Sequence, residues 1–113
     1  MQRIAKQIYS QITNAKSVML VPHRDPDGDA LGSVTALIHF LKNLGIPHTA
    51  FCDTNIPAKH SYLPNFEHLK LDNSVWQDKK YDLILVLDTG SLERAGIDKY
   101  ISNLDYKPTI VNI

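Results

Sequence analysis

Tyr81-Asp82-Leu83-Ile84-Leu85-Val86-Leu87-Asp88 is the stretch on which the fold turns. Its five consecutive aliphatic residues lack the in-out alternation of a half-wetted strand and stop at an aspartate followed by Thr89-Gly90, so the run predicts a central strand covered on both faces. Ser17-Val18-Met19-Leu20-Val21, stopped by Pro22, has the same character. His48 to Cys52 reads as a further strand, and Pro108 to Ile113 as one more. Between them lie helical patterns. Ile4, Ile8 and Ile12, with Ala5, Tyr9 and Ala15 nearby, predict a helix over 2–15. Leu31, Val34, Leu37, Ile38, Leu41 and Leu44 predict another over 30–44, with Asp29 as N-cap, Gly45 just past its end and Pro47 beyond. Ser91 to Asn103 is expected to form a third, with Leu92, Ala95 and Ile101 inward and a break near Gly96. Residues 53–64 read as loop with one helical turn. Strands alternating with helices give an α/β fold, a parallel β-sheet flanked by helices, whose ligands sit beyond the carboxyl ends of the strands.

The 113 residues read as one unit without repeats or linker, long enough to bury roughly two-thirds of the unfolded surface. Twelve Lys+Arg balance twelve Asp+Glu, and no basic cluster is longer than Lys79-Lys80, which argues against charge-driven binding to duplex DNA or an anionic membrane. The longest stretch free of charged residues, Ala30 to Leu41, is well short of the roughly 18 to 20 residues of a membrane span. The polar, amphipathic start is no secretory leader, so the expected location is cytoplasmic. Cys52 has no intrachain partner, and a buried, inert thiol is the expectation.

Chemistry concentrates in His23-Arg24-Asp25-Pro26-Asp27-Gly28-Asp29-Ala30-Leu31-Gly32-Ser33, between the first strand and the second helix. Asp25, Asp27 and Asp29 at spacing two repel one another, a cost best tolerated where a cation neutralises them. His23 adds an imidazole. Gly28 is expected to allow a tight turn between two aspartates, and Gly32 close packing of the helix start on a strand. Carboxylates with imidazole suit manganese or magnesium, and zinc less well without thiolates. An EF-hand loop counted from Asp25 needs Gly and Glu where Ala30 and Ala36 stand. A Walker A loop needs Lys where Gly32 stands. The remaining alternative is a plain Asp-Pro-Asp-Gly turn in which Asp29 merely caps the helix.

Asp88 alone could be a strand-end cap; beside the first turn it supplies a carboxylate from a neighbouring strand end, so that two turns could pinch a pair of divalent ions. With His23, Asp27 and Asp29 matching H-x-x-x-D-x-D, and Asp88 in Leu87-Asp88-Thr89-Gly90 ending a later strand, nearly the whole chain resembles the DHH phosphoesterase superfamily. That group contains bacterial nanoRNase/pAp phosphatases, RecJ-type exonucleases and family II inorganic pyrophosphatases. Pro26-Asp27-Gly28-Asp29-Ala30-Leu31-Gly32-Ser33, with the helix ending Leu41-Lys42-Asn43-Leu44-Gly45, looks most like the nanoRNase/pAp phosphatase branch. The resemblance implies a two-metal site, with Mn2+ or Mg2+, in which His23 and Asp27 hold the first ion, Asp29 the second, and Asp88 bridges them. Asp27, Asp29 and Asp88 would thereby be both catalytic and metal-binding. It gives Arg24 and Asp25 only roles behind the ligands or against substrate.

The resemblance further implies hydrolysis of short oligoribonucleotides or 3′-phosphoadenosine 5′-phosphate. In the family a strand like Thr109 to Ile113 runs into the Asp-His-His motif, which this chain does not reach; a further aspartate and a smaller substrate-gripping domain are also absent. Residues 1–113 are therefore expected to be a partial DHH domain, an N-terminal fragment that hydrolyses little by itself. The alternative is a non-catalytic remnant that self-associates, as a homodimer, through an exposed sheet edge. Other residues have plainer expectations. His39, His48, His60 and His68 read as structural or solvated. Trp76, Tyr62 and Phe66 read as local packing, Arg94 as a phosphate contact or a surface ion pair, and Lys79-Lys80 as a solvated approach to the strand.

Overall fold

The computed structural model describes residues 2–54, 56, 58–87 and 92–113. Its elements are α1 (Gln2–Asn14), β1 (Val18–Pro22), α2 (Gly28–Leu44), β2 (His48–Phe51), β3 (Leu69–Lys70), α3 (Val75–Asp78), β4 (Leu83–Leu87), α4 (Leu92–Ala95), α5 (Asp98–Ser102) and β5 (Thr109–Asn112). The five strands form one sheet in the order β3-β2-β1-β4-β5. Every pairing is parallel.

The uninterrupted aliphatic runs are explained by where they lie. All five residues of β1 and of β4 are buried. Val18 and Leu20 of β1, with Leu83, Leu85 and Leu87 of β4, join α2 and Ile12 of α1 on one face of the sheet. Met19, Val21, Ile84 and Val86 point the other way, onto Phe51, Trp76, Tyr81, Ala95 and Ile97. Successive side chains alternate between faces, so a strand with a core on each side must be apolar throughout. β1 continues through Pro22, beyond the expected stop, because a proline at the last position removes no rung from inside the ladder. β4 starts at Leu83, two residues later than expected; just before it, the Asp82 carboxylate accepts the N–H groups of Lys16 and Ser17, both at 2.9 Å.

α2 begins at Gly28, two residues earlier than expected, and its N-cap is Asp27 instead of Asp29. It ends as the sequence indicates, at Gly45 in the left-handed conformation (φ 70°), with the Ile46 N–H returning to the Leu41 carbonyl at 3.0 Å. The helix expected over 91–103 with a break near Gly96 is two short ones, α4 and α5. The break is at Gly96, whose φ of 74° reverses the chain between them. β3 and α3, in a polar stretch without periodicity, were not foreseen. Residues Ala58–His60 and Phe66–His68 each make one 3₁₀ turn.

The strand order changes direction at β1. From β1 the chain moves outward to β2 and β3, then returns to place β4 on the other side of β1 and β5 beyond it. This makes the carboxyl ends of β1 and β4 the switch point of the sheet, where ligands of open parallel sheets bind. The register ends with Pro22 opposite Leu87, so both strands stop at the same level. β5 is an edge strand, with Ile110 38% exposed. Among the described residues no helix is long and apolar enough to cross a membrane.

Candidate metal centre at the switch point

The acidic turn leaves the carboxyl end of β1 at this switch point. Where a tight turn at Gly28 is expected, the positive φ falls on Asp25 (51°), and Gly28 is the first residue of α2. The Asp25 N–H donates to Thr54 Oγ1 at 2.7 Å, which ties the turn to the loop after β2. An Asp readily takes this backbone conformation where a neighbour anchors it. Gly32 has nothing within 4 Å of where a Cβ would stand, so the close packing expected there is not made.

His23 is half-buried, and its Nδ1–H donates to the Arg24 carbonyl oxygen at 2.6 Å. A carbonyl only accepts, so in the neutral ring the proton sits on Nδ1 and the lone pair on Nε2. Orienting an imidazole through its other nitrogen is how proteins prepare histidine to bind a metal. Asp27 Oδ1 accepts the Ala30 N–H at 2.9 Å, the bond that caps α2. Asp29 stands exposed in the first helical turn. Asp25 is exposed as well. Asp88, one residue past Leu87, lies outside the described residues, as do Thr89, Gly90 and Ser91.

Among the described residues no three His, Cys, Asp or Glu side chains are gathered closely enough to hold a metal ion. His23, Asp27 and Asp29 thus share one turn without forming a finished cluster. Their chemistry nevertheless fits a hard divalent cation, with one imidazole set in its metal-binding tautomer and two exposed carboxylates. One further feature of the turn was not foreseen. The ring of His60, from the 3₁₀ turn at 58–60, lies over Gly28, where an added Cβ would be 3.4 Å from its Cε1 and 3.8 Å from Nδ1. That Nδ1 is buried without a hydrogen-bond partner, a polar atom left unsatisfied beside Gly28. No local sequence signal marks His60, which stands some thirty residues away in a polar loop.

The surroundings of the site are held by Arg24. Its guanidinium reaches Asp53 Oδ2 from Nε at 3.0 Å and from Nη2 at 2.8 Å, and its N–H donates to the Arg94 carbonyl at 3.1 Å. The Tyr100 hydroxyl donates to the other Asp53 oxygen at 3.4 Å. Tyr100 itself stacks on Trp76, with centroids 5.5 Å apart and planes 6° from parallel, and meets Phe51 edge-on. Trp76 and the half-buried Phe66 pack locally as expected. Tyr62 does not: it is 76% exposed. Cys52 is buried, and desolvation raises its thiol pKa despite opposing hydrogen bonds from Thr54. His39 and His68 are exposed, and His48 Nδ1 bonds the Ile46 carbonyl. Lys79 and Lys80 are solvated, with Lys80 3.8 Å from Asp105.

Comparison with known proteins agrees with this architecture. The crystal structure of an exopolyphosphatase-related protein from Bacteroides fragilis superposes with a TM-score of 0.82 at 20% identity, over 99% of this chain and 39% of that one. At that identity the likeness speaks for the fold, and the present chain spans 39% of that protein's length. No curated protein matches the sequence. The family described as "DHH family, N-terminal domain" matches residues 17–111, from just before β1 to within β5, taking in His23, Asp27, Asp29 and Asp88. The chain belongs to the DHH family.

Proposed function

We propose that this chain carries the metal-binding half of a divalent-metal-dependent phosphoesterase, with His23, Asp27, Asp29 and Asp88 as the ligands and Mn2+ or Mg2+ as the ions. The observation that supports this most is the switch point itself. The H-x-x-x-D-x-D turn leaves β1 beside the end of β4, with His23 held as the Nδ1–H tautomer. Bound divalent ions would supply Lewis acidity, activating water and neutralising phosphoryl charge. The chain's own residues do the rest. His23 presents Nε2 because the Arg24 carbonyl holds Nδ1–H; Asp27 Oδ1 is fixed by the Ala30 N–H; and Asp29 rides on the first turn of α2.

The finer reading is the nanoRNase/pAp phosphatase branch, acting on short oligoribonucleotides or 3′-phosphoadenosine 5′-phosphate. It is supported by the run Pro26 to Ser33 and by the helix ending at Leu44-Gly45. The domain assignment, a partial DHH domain over 1–113, is part of the same proposal. It is tested by nuclear magnetic resonance with diamagnetic Mg2+ present, titrating in 3′-phosphoadenosine 5′-phosphate, a short oligoribonucleotide or polyphosphate. Shifts at 23–32 with the first two ligands alone support the branch; a response to polyphosphate alone overturns it. A second reading, self-association through the edge strand β5, is favoured by the exposure of Ile110 and Ile113. Sedimentation equilibrium decides it, a concentration-independent monomer mass counting against it.

A further inference from the structure

Asp53 was not singled out by any motif, yet it stands at the centre of a chain of contacts that ends on His23. Its side chain is only 17% exposed, and two guanidinium nitrogens of Arg24, Nε and Nη2, converge on its Oδ2. Tyr100 occupies Oδ1. The pair sits on Gly96, where an added Cβ would stand 2.5 Å from Asp53 Oδ2 and 2.9 Å from Arg24 Nε; the site is shaped around the ion pair. Arg24 is held on the backbone as well, through its N–H to the Arg94 carbonyl. A residue fixed at both side chain and N–H has little freedom left for its carbonyl, and that carbonyl accepts the His23 Nδ1–H.

We infer that Asp53 is a positioning residue for the metal centre: by clasping Arg24 it aims the Arg24 carbonyl that holds His23 in the Nδ1–H tautomer, with Nε2 turned out for a ligand. This rests on the metal reading above for its purpose, and on the present contacts for its geometry. An exposed ion pair would be a weak handle. Here one partner is mostly buried, doubly bonded on one oxygen and capped on the other, a geometry that restricts orientation more than it adds stability.

The test is the isosteric variant Asp53→Asn, which keeps the volume over Gly96 and removes the charge. Long-range proton–nitrogen spectra of the metal-free protein, recorded at a pH where the imidazole is neutral, report the His23 tautomer directly. Wild type is expected to show Nδ1–H alone and Asp53→Asn a mixture, with unchanged far-ultraviolet circular dichroism. Manganese dissociation constants should rise roughly tenfold, the low end of the loss seen when a group orienting a metal-bound histidine is removed. Arg24→Gln should do the same, and the double variant no more than either single one, because all three break one clasp. An unchanged tautomer in Asp53→Asn overturns the inference. If manganese affinity is also unchanged while Asp27→Ser abolishes binding, the metal reading survives alone. If no form binds manganese, the metal reading and the clasp's purpose fall together.

Discussion

Asp27 Oδ1 and the Ala30 N–H, 2.9 Å apart, join the candidate metal ligand to the first turn of the longest helix. One carboxylate therefore has a structural duty and, on the proposed reading, a chemical one. The two are separable by substitution, because a serine hydroxyl caps a helix about as well as a carboxylate but is a poor ligand for a hard divalent cation. Asp27→Ser should keep the metal-free melting temperature close to wild type and abolish the rise on adding manganese. Asp27→Ala should lose the same rise and cost a further ~1 kcal/mol of metal-free stability. Differential scanning calorimetry with and without the ion checks both.

Gly96→Ala should destabilise the fold by about 1–3 kcal/mol. The added methyl meets a backbone φ of 74° that favours glycine, and it would stand 2.5 Å from Asp53 Oδ2. Urea unfolding followed by Trp76 fluorescence measures the loss. Gly32→Ala is the control: nothing lies within 4 Å of the new methyl, so a helical alanine there should be neutral or slightly stabilising.

Acid stability should depend on Asp82. Burial works against ionising its carboxyl, but the N–H groups of Lys16 and Ser17 outweigh burial and hold its pKa below the ordinary value. A carboxyl lowered in the folded state contributes stability above its unfolded pKa and loses it as the pH falls through the folded one. The contribution should therefore be complete above about pH 5 and fade below about pH 4. Asp82→Asn should flatten that part of the acid limb while lowering stability near neutral pH by at most ~1 kcal/mol, because solvent screens this exposed carboxylate. Urea midpoints taken between pH 3 and 7 test the sign.

Cys52 should resist thiol reagents in the native state. Its sulfur is buried and its pKa is raised, chiefly by desolvation. Labelling by a disulfide reagent should be slow in buffer and immediate in denaturant; fast labelling in buffer would show that the end of β2 opens readily.

The parts of the fold that the chain announces are those whose residues answer to a local rule. Leu83 to Leu87 and Val18 to Val21 are apolar because both faces of their strands are covered, and Ile8 with Ile12 shows the stripe of a helix lying on a sheet. The pair Leu69-Lys70 carries no such pattern and becomes a strand only by lying beside Ala50 and Phe51. At the acidic turn, Asp27 and Asp29 both satisfy the rule for a helix cap. The choice falls to Asp27, whose extended backbone (φ −86°, ψ −177°) frees its carboxylate for the Ala30 N–H. The ligand pattern from His23 to Asp29 is legible as a motif. Its supports are not, since Asp53, His60 and Gly96 reach it from distant segments that only the completed sheet brings near.

His23, Asp27, Asp29 and Asp88 are proposed to act as one metal site. The most direct measurement is a manganese titration by electron paramagnetic resonance, reading free ion against wild type and four single alanine variants at those positions. Wild type should deplete the free-ion signal, and each variant, Asp88→Ala included, should weaken binding by at least roughly tenfold. Binding that survives unchanged in all four variants, or is lost in three of them and intact in Asp88→Ala, would contradict this proposal.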